Sequence, residues 1–283
     1  MQVSAFVLPF RLPSDQQARF HPAPKWSRPL SMPESRTWTA ALVVIGDEIL
    51  SGRTHDKNIA QVAAWLGLQG IRLREVRVVA DDTRAIVDAV NHLRTVNDYL
   101  FTTGGIGPTH DDITVDAIAE ALGVPVVIHP EARAVLEQHY ETRGGLNEAR
   151  LRMARVPEGA SLIPNRYSGA PGIRHGNMFI MAGVPTITAG MLDALSGTLE
   201  GGAILLSETL GCWIQESEVA DLLRETEQAH AACVIGSYPF WREGRGGANF
   251  VIRSTDAEAL ATCTRALAEA LTAMGRPPVA GGI

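Results

Sequence analysis

The chain alternates strand-like and helix-like segments from Thr39 onward, and this alternation limits its fold more than any other feature. The first segment, TAALVVIG, is a continuous apolar run ending at Gly46, as expected of a strand buried on both faces. The next, KNIAQVAAWLGLQG, carries a helical apolar stripe. The pair of patterns recurs in IRLREVRVVA with TRAIVDAVNHLR and in DYLFTTG with DDITVDAIAEALG. Such repeats predict a three-layer α/β/α fold with a mostly parallel sheet.

The alternation weakens in the second half of the chain, where a smaller unit follows. After the short strand VPVVIHP, two helical stretches flank Gly144 and Gly145, and the strand NMFIMAG precedes a helix through TITAGMLDAL. We therefore expect the main α/β domain to occupy residues 38–198. The order β-α-β-β-α over residues 199–275 predicts a small α+β C-terminal subdomain.

The two ends of the chain lack sustained periodicity. Residues 1–37 hold six of the 16 prolines, and residues 276–283 read RPPVAGGI. Both compositions are typical of disordered segments, so we expect a disordered arm over 1–37 and a disordered tail over 276–283. An open alternative is that the natural chain starts at Met32, since the first strand follows soon after it.

Composition excludes several classes of protein. The 283 residues carry a net charge of -6 and no basic patch, so we expect no nucleic-acid partner. No apolar run approaches the roughly 18 residues of a membrane helix, and the first residues lack the features of a secretory signal. The three cysteines form no C-x-x-C pair, which disfavours a zinc site or a disulfide framework. Together these features favour a cytoplasmic protein, and the acidic charge does not count against a phosphorylated small-molecule ligand.

A glycine-rich stretch, LFTTGGIGPTHDDIT, includes the end of the third predicted strand and the turn after it. Gly104, Gly105 and Gly107 allow positive φ angles, so successive N–H groups can face one anion. The following helix adds the partial positive charge of its N-terminus, and Thr102 and Thr103 can donate hydroxyl hydrogen bonds. Ligands of open α/β sheets bind beyond the carboxyl ends of the strands, where this loop is expected. The pattern favours a phosphate-binding loop.

Carboxylates occur in two loops at this same predicted edge of the sheet. Asp111 and Asp112 close the glycine-rich stretch, while Asp47, Glu48 and Asp56 follow the first strand. This many carboxylates would repel a bound anion unless a cation lay between them. Because Mg²⁺ binds through one or two carboxylates plus phosphate oxygens, the arrangement favours a metal-phosphate site.

The second aspartate of the glycine-rich stretch also has a purely structural interpretation. Thr109 and Asp112 fit a capping box, in which each side chain satisfies a free amide at the start of the third helix. That arrangement accounts for Asp112 but for none of the other carboxylates, so both interpretations stay open.

These motifs occur in an order seen in a known family. GDEILSG with DKN, TTGGIGPTHDD, NEARLRMARVPEGA, GAPG and GVP together resemble the molybdenum-cofactor-biosynthesis (MoCF) domain family. Within it, the chain is most similar to the amino-terminal domain of CinA and to the molybdopterin-binding domain of FAD synthases, over about residues 39–278. The resemblance implies a three-layer α/β fold that binds a pterin or nucleotide phosphate at the strand edge. One departure is Ala182, which stands where the family usually has the proline of PGVP.

The resemblance also implies roles for particular residues and an assembly state. Two aspartates are essential in molybdopterin-adenylylating members, and they match Asp56 and Asp112. CinA-like members are associated with metal-dependent cleavage of the pyrophosphate in ADP-ribose and similar dinucleotides. MoCF relatives form trimers and CinA-like ones form dimers, so a homo-oligomer is expected by analogy. Outside the glycine loop, the predicted ligand-binding residues are Asn58, Thr109, Asn147, Arg152, Gly169, Pro171 and Gly172.

The sequence therefore favours a metal-dependent pyrophosphatase that acts on dinucleotides such as ADP-ribose or FAD. Asp56, Asp111 and Asp112 are the predicted metal ligands, with Mg²⁺, Mn²⁺ or Co²⁺ as the cofactor, and Asp47 or Glu48 is the predicted base. A second hypothesis is molybdopterin adenylylation or handling, with molybdopterin as the ligand at the same site. A third is a non-catalytic binding protein that retains the fold.

A late segment, SYPFWREGRGG, spans residues 237–247 and combines aromatic residues, arginines and glycines. Its simplest interpretation is a hairpin connection between two strands. An alternative is that its aromatics and arginines stack on a base bound by a neighbouring subunit.

Overall fold

A computed structural model describes residues 36–242 and 244–283. The predicted disordered arm falls almost entirely on residues 1–35, which lie outside this range. The chain is described from just before the first strand, where Arg36 forms an ion pair with Asp98.

The α/β part of the chain combines one large sheet with a small two-stranded one. Its strands are β1 (Trp38–Ile45), β2 (Ile71–Val79), β3 (Tyr99–Thr103), β4 (Val126–Ile128), β5 (Arg155–Pro157), β6 (Ser161–Ile163), β7 (Gly172–His175) and β8 (Met178–Met181). Its helices are α1 (Asp47–Leu50), α2 (Asn58–Leu68), α3 (Thr83–Val96), α4 (Thr114–Leu122), α5 (Pro130–Tyr140), α6 (Glu148–Leu151) and α7 (Pro185–Leu195), with a 3₁₀ helix at Arg152–Ala154.

The large sheet has the strand order β2-β1-β3-β8-β7-β6. Strands β2, β1, β3 and β8 are parallel, whereas β7 runs antiparallel to both β8 and β6. The predicted mostly parallel sheet is confirmed. The small sheet pairs β4 with β5 and lies in the insertion between α4 and β6.

Helices cover both faces of the large sheet and give the predicted three layers. Ile86 of α3 and Ile118 of α4 belong to one buried cluster, whereas Leu66 of α2 and Leu192 of α7 belong to the other. Strand β1 contributes to both clusters because successive strand residues point to opposite faces. Its residues from Ala40 to Ile45 are all buried, which explains the continuous apolar run in the sequence.

The C-terminal part is a four-stranded antiparallel sheet packed against two helices, in the predicted β-α-β-β-α order followed by a short fourth strand. Its core includes Phe250 and Leu267. The sheet has the strand order β10-β11-β9-β12. Its elements are β9 (Leu206–Cys212), α8 (Glu216–Ala229), β10 (Val234–Arg242), β11 (Arg245–Ser254), α9 (Ala257–Ala273) and β12 (Val279–Ala280).

The structure contradicts the prediction of a disordered tail over residues 276–283. Val279 and Ala280 pair with β9, and the side chain of Asn249 both accepts from the amide of Ile283 and donates to its carbonyl oxygen. Proline and glycine composition suggested disorder, but the free edge of β9 offers backbone groups that hold the segment in place.

Candidate functional site

A cavity of about 570 Å³ lies beyond the carboxyl ends of β1, β3 and β8. These are adjacent parallel strands, and this edge is where open α/β sheets bind ligands. The residues that line the cavity are Ile45, Gly46, Glu48, Thr54, Asp81, Gly104, Gly105, Ile106, Gly107, Pro108, Asp111, Asp112, Met153, Ser168, Ala170, Ala182, Gly183, Val184, Pro185, Ile187 and Met191.

Two of the loop glycines are required by the backbone around them. Gly104 has a φ of 105°, and a Cβ there would clash with the carbonyl oxygen of Ile45 at the end of β1. Gly105 has a φ of 66°, and its Cβ would clash with the hydroxyl of Thr114. Positive φ and close backbone approach both exclude larger residues at these positions. The glycines therefore hold the loop against β1 and against the start of α4.

Thr114 anchors this loop and was not assigned a role from the sequence. Its hydroxyl donates to the carbonyl oxygen of Gly104 at 2.9 Å, and its amide donates to the carbonyl oxygen of Gly105 at 3.1 Å. The side chain is fully buried. A threonine at the first position of α4, two residues after Asp112, was the available signal.

Some backbone amides of the glycine loop already donate to a carbonyl oxygen of the described residues, and others do not. Gly104 donates its amide to the carbonyl oxygen of Met181, so this amide cannot also bind an anion as predicted. The amides of Gly105, Ile106 and Gly107 have no protein acceptor among the residues that the structure describes. Unpaired amides at the wall of a cavity are suited to an anionic ligand.

The predicted capping box at the start of the third helix is wrong. Helix α4 begins at Thr114, and no side chain caps it. Asp112 instead accepts hydrogen bonds from both the amide and the hydroxyl of Thr109, which closes a separate turn before the helix. A Cβ at Gly107 would lie 2.6 Å from Oδ2 of Asp112, so the carboxylate is held against the glycine loop.

Thr102 and Thr103 do not reach the cavity surface. Both are at most 1% exposed, and neither hydroxyl has a hydrogen-bond partner within the described part of the chain. As neighbours in β3 they point to opposite faces of the sheet, into the two apolar layers. The prediction that these hydroxyls donate to a phosphate is wrong in this conformation.

Four carboxylates do line the cavity: Glu48, Asp81, Asp111 and Asp112. Asp47 lies beside them, since its amide donates to Oδ2 of Asp81 at 3.0 Å. No lysine, arginine or histidine is present among the described lining residues. The cavity therefore joins an acidic wall to a loop of unpaired amides.

Asp81 was missed by the sequence reasoning. It follows β2 closely, so the parallel sheet brings it to the same edge as the loops after β1 and β3. Partial burial raises its pKa above the usual range, the amide of Asp47 partly offsets this, and the charges of Asp47, Glu48 and Asp111 raise it further. An aspartate just past a second parallel strand could have identified it.

Asp56 does not line the cavity, contrary to its predicted role as a metal ligand. Its carboxylate accepts from the amide of Ile59 at 2.7 Å, which satisfies a free donor at the start of α2. Nearby, Asn58 is buried and donates to the carbonyl oxygen of Gly183 at 2.7 Å, so it holds the cavity wall rather than facing a ligand.

The predicted metal set of Asp56, Asp111 and Asp112 does not come together. Over residues 36–242 and 244–283, no three acidic, histidine or cysteine side chains are grouped so that they could hold a metal ion. A cation at this edge would need oxygen ligands from a bound molecule to complete its coordination, as Mg²⁺ in phosphate sites does.

The other predicted ligand-binding residues support the wall instead of lining it. Asn147 caps α6 by accepting from the amide of Arg150 at 2.8 Å. Arg152 donates to the carbonyl oxygen of Asp112 at 3.3 Å, which ties the glycine loop to the insertion. In the loop before β7, Ser168 and Ala170 line the cavity. The predicted residues Gly169 and Pro171 of that loop, and Gly172 at the start of β7, do not.

Residues 41–200 match the family described as "Probable molybdopterin binding domain", which is the MoCF family. The chain belongs to the MoCF family. Residues 204–276 of this MoCF protein match a second model, described as "FAD synthase, middle domain". The predicted family membership and the predicted fold class are thus both confirmed.

Individual relatives agree with this assignment. A protein from Aeropyrum pernix is 31% identical over 249 residues, covering 84% of the MoCF protein described here and 91% of the relative. A CinA-like protein from Gemmatimonas aurantiaca is 38% identical over 198 residues. The chain spans about half the length of that relative, since the match covers 46% of it and 65% of this chain.

A solved structure shares the fold at appreciable identity. CinA from Thermoplasma acidophilum, whose function is described as unknown, is 32% identical with a TM-score of 0.54. The match covers 57% of this MoCF protein and 98% of the other chain. Within the described residues, no helix is long and apolar enough to cross a membrane.

Proposed function

We propose that this CinA-like MoCF-domain protein binds a dinucleotide such as ADP-ribose or FAD and hydrolyses its pyrophosphate with the help of a divalent cation. The observation that carries the proposal is the cavity itself. Four carboxylates and three unpaired amides share one cavity that has no basic side chain among its described lining residues.

A bound cation would explain why carboxylates and unpaired amides line the same cavity. Carboxylates repel a phosphate, yet unpaired amides at Gly105, Ile106 and Gly107 are suited to one. Burial raises the pKa of Asp81 most, and the charges of Asp47, Glu48 and Asp111 raise it further, so a cation beside this carboxylate would favour its charged form. Mg²⁺ accepts one or two carboxylates with phosphate oxygens as further ligands, so the residues fit such an ion without a complete protein cage.

Each lining group has a distinct task in this proposal. Asp112 and Glu48 would hold Mg²⁺, Mn²⁺ or Co²⁺, and the ion would supply positive charge at the pyrophosphate. The amides of Gly105 and Gly107 would donate to the departing phosphate, where negative charge increases. Asp81 would accept the proton of the attacking water, because its raised pKa makes it a stronger base than an ordinary aspartate.

The rest of the cavity suits the flat ring of a nucleotide. Ile106, Met153, Ile187 and Met191 form apolar lining beside the acidic wall. Apolar side chains with few polar groups bind a ring by area rather than by its hydrogen-bonding pattern. This lining supports the alternative of a pterin ligand equally well, including molybdopterin.

Turnover of ADP-ribose and FAD tests the proposal. With Mg²⁺, Mn²⁺ or Co²⁺ the protein should release AMP, and Asp112→Asn and Asp81→Asn should each lower kcat by about 100-fold or more. Asp88→Asn is the matched control, since Asp88 is an exposed aspartate on α3, and it should retain activity. No AMP with any of these metals, from folded protein, would refute the hydrolase.

Thermal unfolding in the presence of each ligand tests the pterin alternative. Molybdopterin should protect the protein against thermal unfolding more than ADP-ribose does if a pterin is the natural ligand. Protection by both ligands without turnover of either would favour a non-catalytic binding protein.

A further inference from the structure

We propose that the tip of the β10–β11 hairpin of one copy of this chain enters the cavity of a second copy and adds two arginines to a lining that has no described basic side chain. The hairpin tip comprises residues 240–242 and 245–247. This inference rests on the proposed function for its ligand, but the docking itself can be tested without turnover.

The hairpin tip projects beyond the sheet that carries it. Strands β10 and β11 pair along their whole length, ending at Arg242 opposite Arg245. Strand β9 pairs with β11 only from Ala248 to Ser254, so the tip is a two-stranded ribbon without a third strand. A two-stranded ribbon alone is marginally stable in water, so a projecting ribbon gains from contact with another surface.

The tip carries an exposed aromatic side chain on a thin backbone. Trp241 is 74% exposed, the highest exposure of the large apolar side chains in the described residues. It lies across Gly246, whose Cβ would be 3.3 Å from the indole ring. Gly246 leaves room for this ring, and exposed tryptophans commonly anchor interfaces.

The arginines of the tip are oriented by aromatic stacking. The guanidinium of Arg245 lies 3.7 Å from the ring centre of Trp213, and that of Arg242 lies 5.5 Å from Phe240. Trp213 and Phe240 are themselves in edge-to-face contact at 5.2 Å. Stacking orders an arginine while leaving its donors free, which suits recognition of a phosphate.

Charge complementarity identifies the second copy as the occupant. Arg242 and Arg245 pair with no carboxylate among the described residues, and Glu243 between them lies outside that set. The cavity has four carboxylates and no described basic group, and no residue of the chain's own hairpin lines it. If each copy inserts its hairpin into the other, the same contact forms twice and closes a two-fold dimer.

Sedimentation of the full chain tests the association. The wild type should be a dimer at low ionic strength, and Arg242→Glu with Arg245→Glu should weaken dimerisation by about tenfold or more. The control, Arg224→Glu with Arg265→Glu, makes the same charge change on α8 and α9 and should leave dimerisation intact. The proposal would be overturned if the wild type stayed monomeric, or if the control variant dimerised as weakly as the hairpin variant.

Cross-linking tests where the hairpin docks. Pro239→Cys in one preparation and Val184→Cys in another place thiols beside the tip and at the exposed rim of the cavity, and both keep Trp241 in place. The described native cysteines are buried. A short bismaleimide should join these two variants. Val234→Cys, at the far end of β10, should not join to Val184→Cys. No cross-link from Pro239→Cys, or an equal one from Val234→Cys, would refute the docking.

The two proposals fail in different ways. Cross-linking without AMP release would leave the docking intact and refute the hydrolase. AMP release with an unchanged kcat/KM in the Arg242→Glu, Arg245→Glu variant would leave the hydrolase intact and overturn the role of the arginines.

Discussion

The hydroxyl of Thr114 donates to the carbonyl oxygen of Gly104 at 2.9 Å, and this buried bond fixes the glycine loop to the first turn of α4. Thr114→Val keeps the shape of the side chain but leaves that carbonyl oxygen without its donor. We expect a loss of about 1–3 kcal/mol in the free energy of unfolding. Urea denaturation measures it, and a change below about 0.5 kcal/mol would show that the bond does not hold the loop.

Thr102→Val is the opposite case to Thr114→Val, because it removes a hydroxyl that makes no hydrogen bond to any described residue. The hydroxyl of Thr102 is buried and has no partner within the described residues, so a methyl group in its place removes an uncompensated polar atom. The variant should be as stable as the wild type or more stable, by up to about 2 kcal/mol. Ligand affinity should not change. Weaker ligand binding in this variant would restore the direct phosphate contact that the structure contradicts.

Gly104→Ala should be among the most damaging single substitutions at the site. Gly104 has a φ of 105°, and an added Cβ would clash with the carbonyl oxygen of Ile45. The cost should be about 3 kcal/mol or more in unfolding free energy. Gly123→Ala is the control, because Gly123 has a φ of 68° and open space around it, and it should cost only about 1–2 kcal/mol. Similar losses for both would mean that the close approach to β1 is unimportant.

The raised pKa of Asp81 makes a prediction about pH. Burial and neighbouring carboxylates raise this pKa in the folded state, so the folded protein favours the protonated form. The resulting contribution to stability is present below the unfolded pKa and is lost as pH rises through the folded pKa. Asp81→Asn should therefore be more stable than the wild type at neutral pH, and the difference should disappear in acid.

Unfolding of the wild type and of Asp81→Asn by guanidinium chloride, from acid to neutral pH, measures this difference in stability. Asp88→Asn, on the exposed surface of α3, should show no such pH-dependent gain. If Asp81→Asn is less stable than the wild type at neutral pH, the acidic wall is already neutralised and the electrostatic reasoning is wrong.

The sequence was sufficient to predict the layers of the fold. The apolar run from Ala40 to Ile45 is buried on both sides, and its repeated alternation with helical stripes indicated a parallel sheet covered by helices. It was not sufficient for the tail, because pairing of Val279 with Gly211 depends on a free strand edge that is distant in the sequence.

The sequence indicated the edge of the sheet where the cavity lies, but only some of the residues that line it. Glu48, Asp111 and Asp112 line the cavity, because the loops that follow β1 and β3 meet at the same edge of the sheet. Asp56 was predicted to face the ligand but satisfies a helix amide instead. Asp81 was not predicted and lines the cavity. Spacing along the chain does not reveal which way a loop carboxylate points, because that is decided by the backbone amides within its reach.

The central claim is that a cation must accompany the ligand into the acidic cavity. Calorimetric titration of ADP-ribose into the wild type, with Mg²⁺ and then with excess EDTA, tests it directly. We expect binding with Mg²⁺ and at least a tenfold weaker affinity, about 1.4 kcal/mol or more, in EDTA. The same affinity under both conditions would contradict the account, because the carboxylates of Glu48, Asp81, Asp111 and Asp112 would then tolerate a phosphate without a bridging ion.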